Sequence, residues 1–200
     1  MQGMCEMTNK LITYIKEEEF EKLLKAEKKK EFKLAYLFAF GSGLRLSEIV
    51  GYKRKFRTKL NKETKIVEKF DDVKEILPLT ADKIDLGRRI IRIIGGKGMK
   101  DRIVPLFPGF RQEYFKLLPL KIKRSTLQSH FKVLCKRVLG RDCHLHELRH
   151  GFAIANKNKG VGISDLQNAL GHSRIETTGI YLKADPEDML KSFNRAWGNI

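Results

Sequence analysis

Apolar residues recur with helical spacing through most of this chain, and residues 83–106 break the pattern. Phe20, Leu23 and Leu24 lie three and four residues apart, so residues 17–28 read as an amphipathic helix. Phe32, Ala35, Tyr36 and Ala39 repeat the spacing in a second helix that ends at Gly41-Ser42-Gly43, and residues 46–50 read as a short third one. In the second half of the chain, Leu127, Phe131, Leu134 and Val138 form a stripe closed by Gly140. Leu148, Phe152 and Ala155 form one closed by Gly160, and Ile163, Leu166 and Leu170 one closed by Gly171. Residues 177–182 read as a short helix, and Asp185-Pro186 supplies an N-cap and first-turn proline for a last one.

Residues 83–86, 89–94 and 102–106 instead read as strands. The segment Gly95-Gly96-Lys97-Gly98-Met99-Lys100-Asp101 has the glycines of a tight hairpin between the last two. The expected fold is therefore α+β and mostly α, with a small three-stranded antiparallel sheet. Residues 52–78, dense in Lys and Arg and weakly periodic, read as an excursion. A 200-residue chain with 42% apolar residues can build one packed domain and is not wholly disordered.

Charge narrows the function. Lys and Arg number 41 and Asp and Glu 24, a net charge of +17. So large a surplus opposes compaction, and a polyanionic partner is the usual reason to keep it. Nucleic acid leads, because each neutralised phosphate releases counterions. A Lys-rich thermophilic surface is the alternative, but such surfaces carry matching acids, which are too few here. No apolar run approaches the roughly 20 residues that span a bilayer. Residues 1–10 lack a signal-peptide core, and Cys5, Cys135 and Cys143 do not make a disulfide framework. A cytoplasmic protein with free thiols is expected.

Several residues are candidates for chemistry. Arg45 sits at a helix start, with Glu48 three residues on and able to hold its guanidinium. Lys97 lies at the glycine-rich turn; the segment is not a phosphate-cradling P-loop. The string His146-Glu147-Leu148-Arg149-His150 supports two readings. As H-E-x-x-H on a helix, it pairs His146 and His150 for zinc, with Glu147 as base and Glu176 as a third ligand. Alternatively, His146 and Arg149 share a face, a proton donor beside a bidentate phosphate clamp. His172 follows a helix end in Leu170-Gly171-His172-Ser173, and Tyr181 follows Thr177-Thr178-Gly179-Ile180.

In this order, Gly43-Leu44-Arg45-Leu46-Ser47-Glu48, Gly96-Lys97-Gly98-x-Lys100-x-Arg102-x-Val104-Pro105-Leu106, His146-x-Leu148-Arg149-His150, Leu170-Gly171-His172-Ser173 and Ile180-Tyr181 resemble the tyrosine recombinase (phage integrase) family, with archaeal and mobile-element integrases the nearest in flavour. The resemblance covers residues 17–195. It implies a catalytic domain for DNA strand breakage and rejoining through a 3′-phosphotyrosine. Arg45 and Arg149 would bind the scissile phosphate, His146 and His172 would hydrogen-bond to it, Lys97 would protonate the leaving 5′ oxygen, and Tyr181 would be the nucleophile. No cofactor or metal is implied. The implied partners are double-stranded DNA and further copies of the chain, a tetramer in the synapse. A DNA-binding regulator or decoy of the same fold is the alternative, and a type IB topoisomerase a neighbouring outcome.

The expected organisation is an N-terminal tail (residues 1–16), a catalytic domain (17–184) holding a basic insertion (52–79), and a C-terminal helix and tail (185–200). The family's N-terminal DNA clamp has no room before Arg45, and the basic insertion is a candidate to replace part of its grip on DNA. Gly151 and Gly179 stand where the family commonly has Ser or Thr and a larger polar residue. Phe193 and Trp197 would anchor the last helix on a neighbouring protomer or in cis.

Overall fold

The helix at Lys30–Gly41 has almost no solvent-facing side. A computed structural model describes residues 13–60, 67–95, 101–171 and 186–198. In it Phe32, Leu34, Ala35, Tyr36, Phe38, Ala39 and Phe40 of this helix are all buried. The spacing of Phe32, Ala35, Tyr36 and Ala39 predicts one apolar face; the helix buries others as well because it is the centre of the core. We label the helices in chain order α1 (Glu17–Ala26), α2 (Lys30–Gly41), α3 (Leu46–Val50), α4 (Arg124–Leu139), α5 (Leu145–Asn158), α6 (Ile163–Leu170) and α7 (Pro186–Trp197).

α1 stops two residues before the expected end. The Glu27 carboxylate accepts the amides of Lys28 at 2.9 Å and Lys29 at 3.0 Å, which turns the chain towards α2. Its other oxygen lies 2.6 Å from Nε2 of His130 on α4 and ties that turn to the next layer.

Five strands follow in chain order: β1 (Tyr52–Leu60), β2 (Val67–Ile76), β3 (Ile84–Asp85), β4 (Ile90–Ile93) and β5 (Arg102–Pro105). β3, β4 and β5 form the expected three-stranded antiparallel sheet, with Ile91 opposite Ile84 on one side and Val104 on the other. Ile84, Ile91, Ile93 and Val104 turn inward to the helical core. The basic excursion is more ordered than its weak periodicity predicts. β1 and β2 pair as a separate two-stranded antiparallel ribbon, with a bulge between Arg54 and Phe56 that disrupts the two-residue alternation.

α5 crosses the core against α2, and one glycine sets how closely. A Cβ on Gly151 would lie 2.3 Å from the carbonyl oxygen of Ile15 and 2.6 Å from Cε2 of Phe40. A Ser or Thr at this position has no space. α7 opens at Pro186, as the Asp185-Pro186 signal predicts, and packs back on its own chain. Phe193 is fully buried and stacks on Phe152 at 5.7 Å, while Nε1 of Trp197 donates to Oδ1 of Asn156 at 2.8 Å. These two aromatic anchors thus pack on α5 of their own chain. Residues 177–182, read as a short helix, lie outside the described residues.

Candidate active site

α6 ends with three consecutive carbonyls, and each accepts a guanidinium from a different part of the chain. Nε of Arg102, the first residue of β5, donates to Ala169 at 2.9 Å. Nη2 of Arg149, on α5, donates to the Leu170 carbonyl, and Nη2 of Arg45, at the start of α3, donates to the Gly171 carbonyl at 3.0 Å. The last carbonyls of a helix lack intrahelical partners and carry the negative end of its dipole, so three cations there are stabilising. Arg149 also donates through Nη1 to the Gly43 carbonyl. This fixes the guanidinium between the α2–α3 turn and the end of α6.

Glu48 provides the counter-charge. Its carboxylate is 2% exposed and accepts the Arg45 backbone amide at 2.8 Å and Nη1 of Arg45 at 3.0 Å. The same two oxygens accept Nη1 and Nη2 of Arg102, each at 2.9 Å. Burial pushes the Glu48 carboxyl up, but the hydrogen bonds and charges of Arg102 and Arg45 more than offset this and hold it below the usual carboxylate range.

Beside this network lies a cavity of about 200 Å³ lined by Arg45, Ser47, Arg124, Leu145, His146 and Arg149 among others. Three of the six sequence candidates, Arg45, His146 and Arg149, thus converge on one cavity. Arg45 is 31% exposed, and His146 is exposed with its ring 4.5 Å from that of His150. Burial first, and then the charge of Arg45, pulls the Arg149 guanidinium down to about 9, which still leaves it charged at neutral pH. Three arginines face a single buried carboxylate here, so the cavity is short of an anion. Lys97, His172 and Tyr181 lie outside the described residues.

In the zinc reading of His146-Glu147-Leu148-Arg149-His150 the base is engaged elsewhere. Glu147, its general base, is 5% exposed. It accepts the His144 amide at 2.8 Å and Nη1 of Arg141 at 3.1 Å, so its carboxylate closes the N-terminus of α5. Among the described residues no group of three His, Cys, Asp or Glu is placed to hold a metal ion. Glu176 lies outside them.

Arg102 is the residue that sequence reasoning left without a role. It stands in the quoted Lys100-x-Arg102 string. Its partner Glu48, however, is 54 residues earlier in the chain, and no local spacing links the two.

Residues 117–188 match the model of the phage integrase family. Over 186 residues the chain is 29% identical to the tyrosine recombinase XerA of Thermococcus kodakarensis; the alignment takes in 84% of this chain and 56% of that protein. The chain is thus similar in sequence to tyrosine recombinases. It spans about half the length of the curated recombinases it matches. The recombinase fold extends over nearly all of it. The integrase of mycobacterium phage Brujita superposes with a TM-score of 0.61 at 18% identity, covering 93% of this chain and 58% of that one. The integrase of the transposon Tn1549, solved with circular intermediate DNA, gives 0.54 at 17% identity, covering 82% and 58%. Among the described residues no helix is long and apolar enough to cross a membrane.

Proposed function

We propose that this domain cuts and rejoins one strand of duplex DNA through a covalent 3′-phosphotyrosyl intermediate. The observation that carries the reading is the convergence of Arg45, Arg149 and His146 on a cavity with surplus positive charge. A phosphodiester is the anion that suits it. The two guanidinium groups bind its non-bridging oxygens and neutralise the charge that builds in the pentacoordinate transition state. The low exposure of Arg149 and its two carbonyl partners hold that group before DNA arrives, so little reorganisation accompanies the reaction.

The Tyr181 phenolic oxygen attacks phosphorus and the bond to the 5′ oxygen breaks. A phenol in water titrates near 10, so a base must take the proton, and His146, exposed beside the two arginines, is the acceptor. Lys97 gives a proton to the departing 5′ oxygen, and His172 adds a hydrogen bond to the phosphate. The products are a 3′-phosphotyrosyl ester and a free 5′ hydroxyl. Attack by a 5′ hydroxyl reverses each transfer, so the ester bond is conserved without a nucleotide cofactor. DNA synapsis by a homo-oligomer, a tetramer on two duplexes, belongs to the same reading and rests on the family resemblance.

The test is incubation with supercoiled plasmid followed by rapid denaturation. The wild-type chain should give a protein–DNA adduct and relaxed circles, and Tyr181→Phe should give neither. Binding without adduct or relaxation by the wild-type chain would leave a DNA-binding decoy instead.

A further inference from the structure

Arg102 does not line the cavity, yet its guanidinium holds two parts of the network around it. Its side chain is 7% exposed, and its three nitrogens are engaged: two on the Glu48 carboxylate and one on the Ala169 carbonyl. The fit is close, because Gly171 adopts φ +59° and a Cβ there would lie 2.8 Å from Cδ of Arg102. We propose that Arg102 is a positioning residue that takes up the Glu48 charge on two prongs, limits the Arg45 guanidinium to a single-nitrogen contact with it, and so keeps the rest of that guanidinium available to the phosphate. This inference rests on the recombinase reading of the site.

The argument is electrostatic. Glu48 carries one negative charge in a buried position and has two cationic partners, Arg102 in a two-pronged pair and Arg45 through a single nitrogen. With Arg102 present, Arg45, Arg102 and Arg149 together carry two positive charges more than the Glu48 carboxylate offsets, and Arg45 and Arg149 bring that surplus to one cavity. Without Arg102, the buried carboxylate has Arg45 alone to neutralise it. The Arg45 fork then closes on Glu48, away from the cavity, and the site loses one of its two phosphate-binding charges. The Ala169 carbonyl loses its donor as well, which loosens the end of α6 to which Arg45 and Arg149 are bonded. A lysine supplies the charge but not the fork, so it restores the function in part.

The experiment measures the rate of Tyr181-dependent adduct formation on nicked duplex at saturating DNA, together with DNA affinity and melting temperature. Arg102→Gln should slow adduct formation by about 10- to 100-fold, the loss expected of a phosphate ligand displaced by about 1 Å. Its DNA affinity should stay within about threefold, since uniform binding and transition-state binding are separable. Removing the carboxyl charge too, in Arg102→Gln/Glu48→Gln, should recover most of that loss. On an Arg45→Ala background, Arg102→Gln should add no more than about twofold, because the two changes act through one group. Arg102→Lys should fall between wild type and Arg102→Gln, and it serves as the test if the glutamine variant melts below the assay temperature. A wild-type rate in Arg102→Gln, no recovery in the double variant, or a full multiplicative loss on Arg45→Ala would each overturn the proposal. Failure of the wild-type chain itself to form a Tyr181-dependent adduct would overturn the recombinase reading and this proposal with it.

Discussion

The Glu147 carboxylate holds the Arg141 guanidinium at 3.1 Å with one oxygen and the His144 amide at 2.8 Å with the other. Arg141 in turn reaches Glu19 on α1 at 3.0 Å and the Tyr14 carbonyl at 3.2 Å. Glu147 thus anchors the start of the helix that carries His146 and Arg149 to the N-terminal layer. Glu147→Gln removes a buried charge-assisted pair and should destabilise the domain by about 1–3 kcal/mol. A thermal melt measures this. A variant with wild-type stability and no activity would restore the case for a catalytic base.

His150 gives the fold a pH dependence. Burial first, and then the Arg149 charge beside it, holds the imidazole below its ordinary value of 6.5. The unfolded chain therefore takes up that proton more readily than the folded one. The stability that neutral His150 contributes is present above pH 6.5 and is lost as pH falls through its lowered folded value. Denaturant melts across this window should show a smaller acid-side loss for His150→Gln than for the wild type. Equal losses in the two proteins would exclude His150 as a contributor.

The β1–β2 ribbon leaves the body immediately after α3, next to the cavity. Its charge is uneven: β1 carries Lys53, Arg54, Lys55, Arg57 and Lys59 with no acid, whereas β2 mixes Lys69 and Lys74 with Glu68, Asp71, Asp72 and Glu75. Lys53 pairs with Glu75 across the ribbon at 3.2 Å, an exposed pair that a phosphate can displace. If β1 lies along DNA, replacing Lys53, Arg54 and Lys55 by Gln should flatten the plot of log affinity against log salt by about 0.9 for each phosphate the ribbon no longer neutralises. An unchanged slope would remove the ribbon from the interface.

The cis packing of α7 predicts a folding defect. Phe193 is fully buried against Phe152, and Phe193→Ala should cost about 3–5 kcal/mol of stability, as large core truncations do. A melt of the free protein, without DNA or oligomer, is the measurement. A stable monomer that fails only in assembly on DNA would return Phe193 to a role between protomers.

The described helices and the three-stranded sheet were legible because their apolar residues are spaced by local geometry. Leu127, Phe131 and Leu134 of α4 line one face whatever lies opposite them. The ribbon was not legible, since its exposed Phe56, Val67 and Val73 and its bulge blur the two-residue alternation that marks a half-buried strand. At the site, Arg45, His146 and Arg149 could be read because each sits in a distinctive short string, and their convergence follows from α3 and α5 both flanking α2. The Arg45–Glu48 pair was also readable, being three residues apart on one helix turn. Arg102 was hidden because its work is done on Glu48 and Ala169, partners that only the tertiary fold supplies. The inward turn of Glu147 was hidden for the same reason: the helix periodicity places His146 and His150 together, but Arg141 decides where the carboxylate goes.

The central claim is that phosphoryl transfer passes through Tyr181 at the site of Arg45 and Arg149. The direct measurement is mass spectrometry of the adduct formed on DNA, after nuclease and protease digestion, with the DNA ends mapped in parallel. The account predicts a nucleotide linked through its 3′ phosphate to the peptide containing Tyr181, a free 5′ hydroxyl at the break, and no adduct from Arg149→Ala within the assay's range. A nucleotide on any other residue, or breaks bearing a 5′ phosphate with no protein attached, would contradict it.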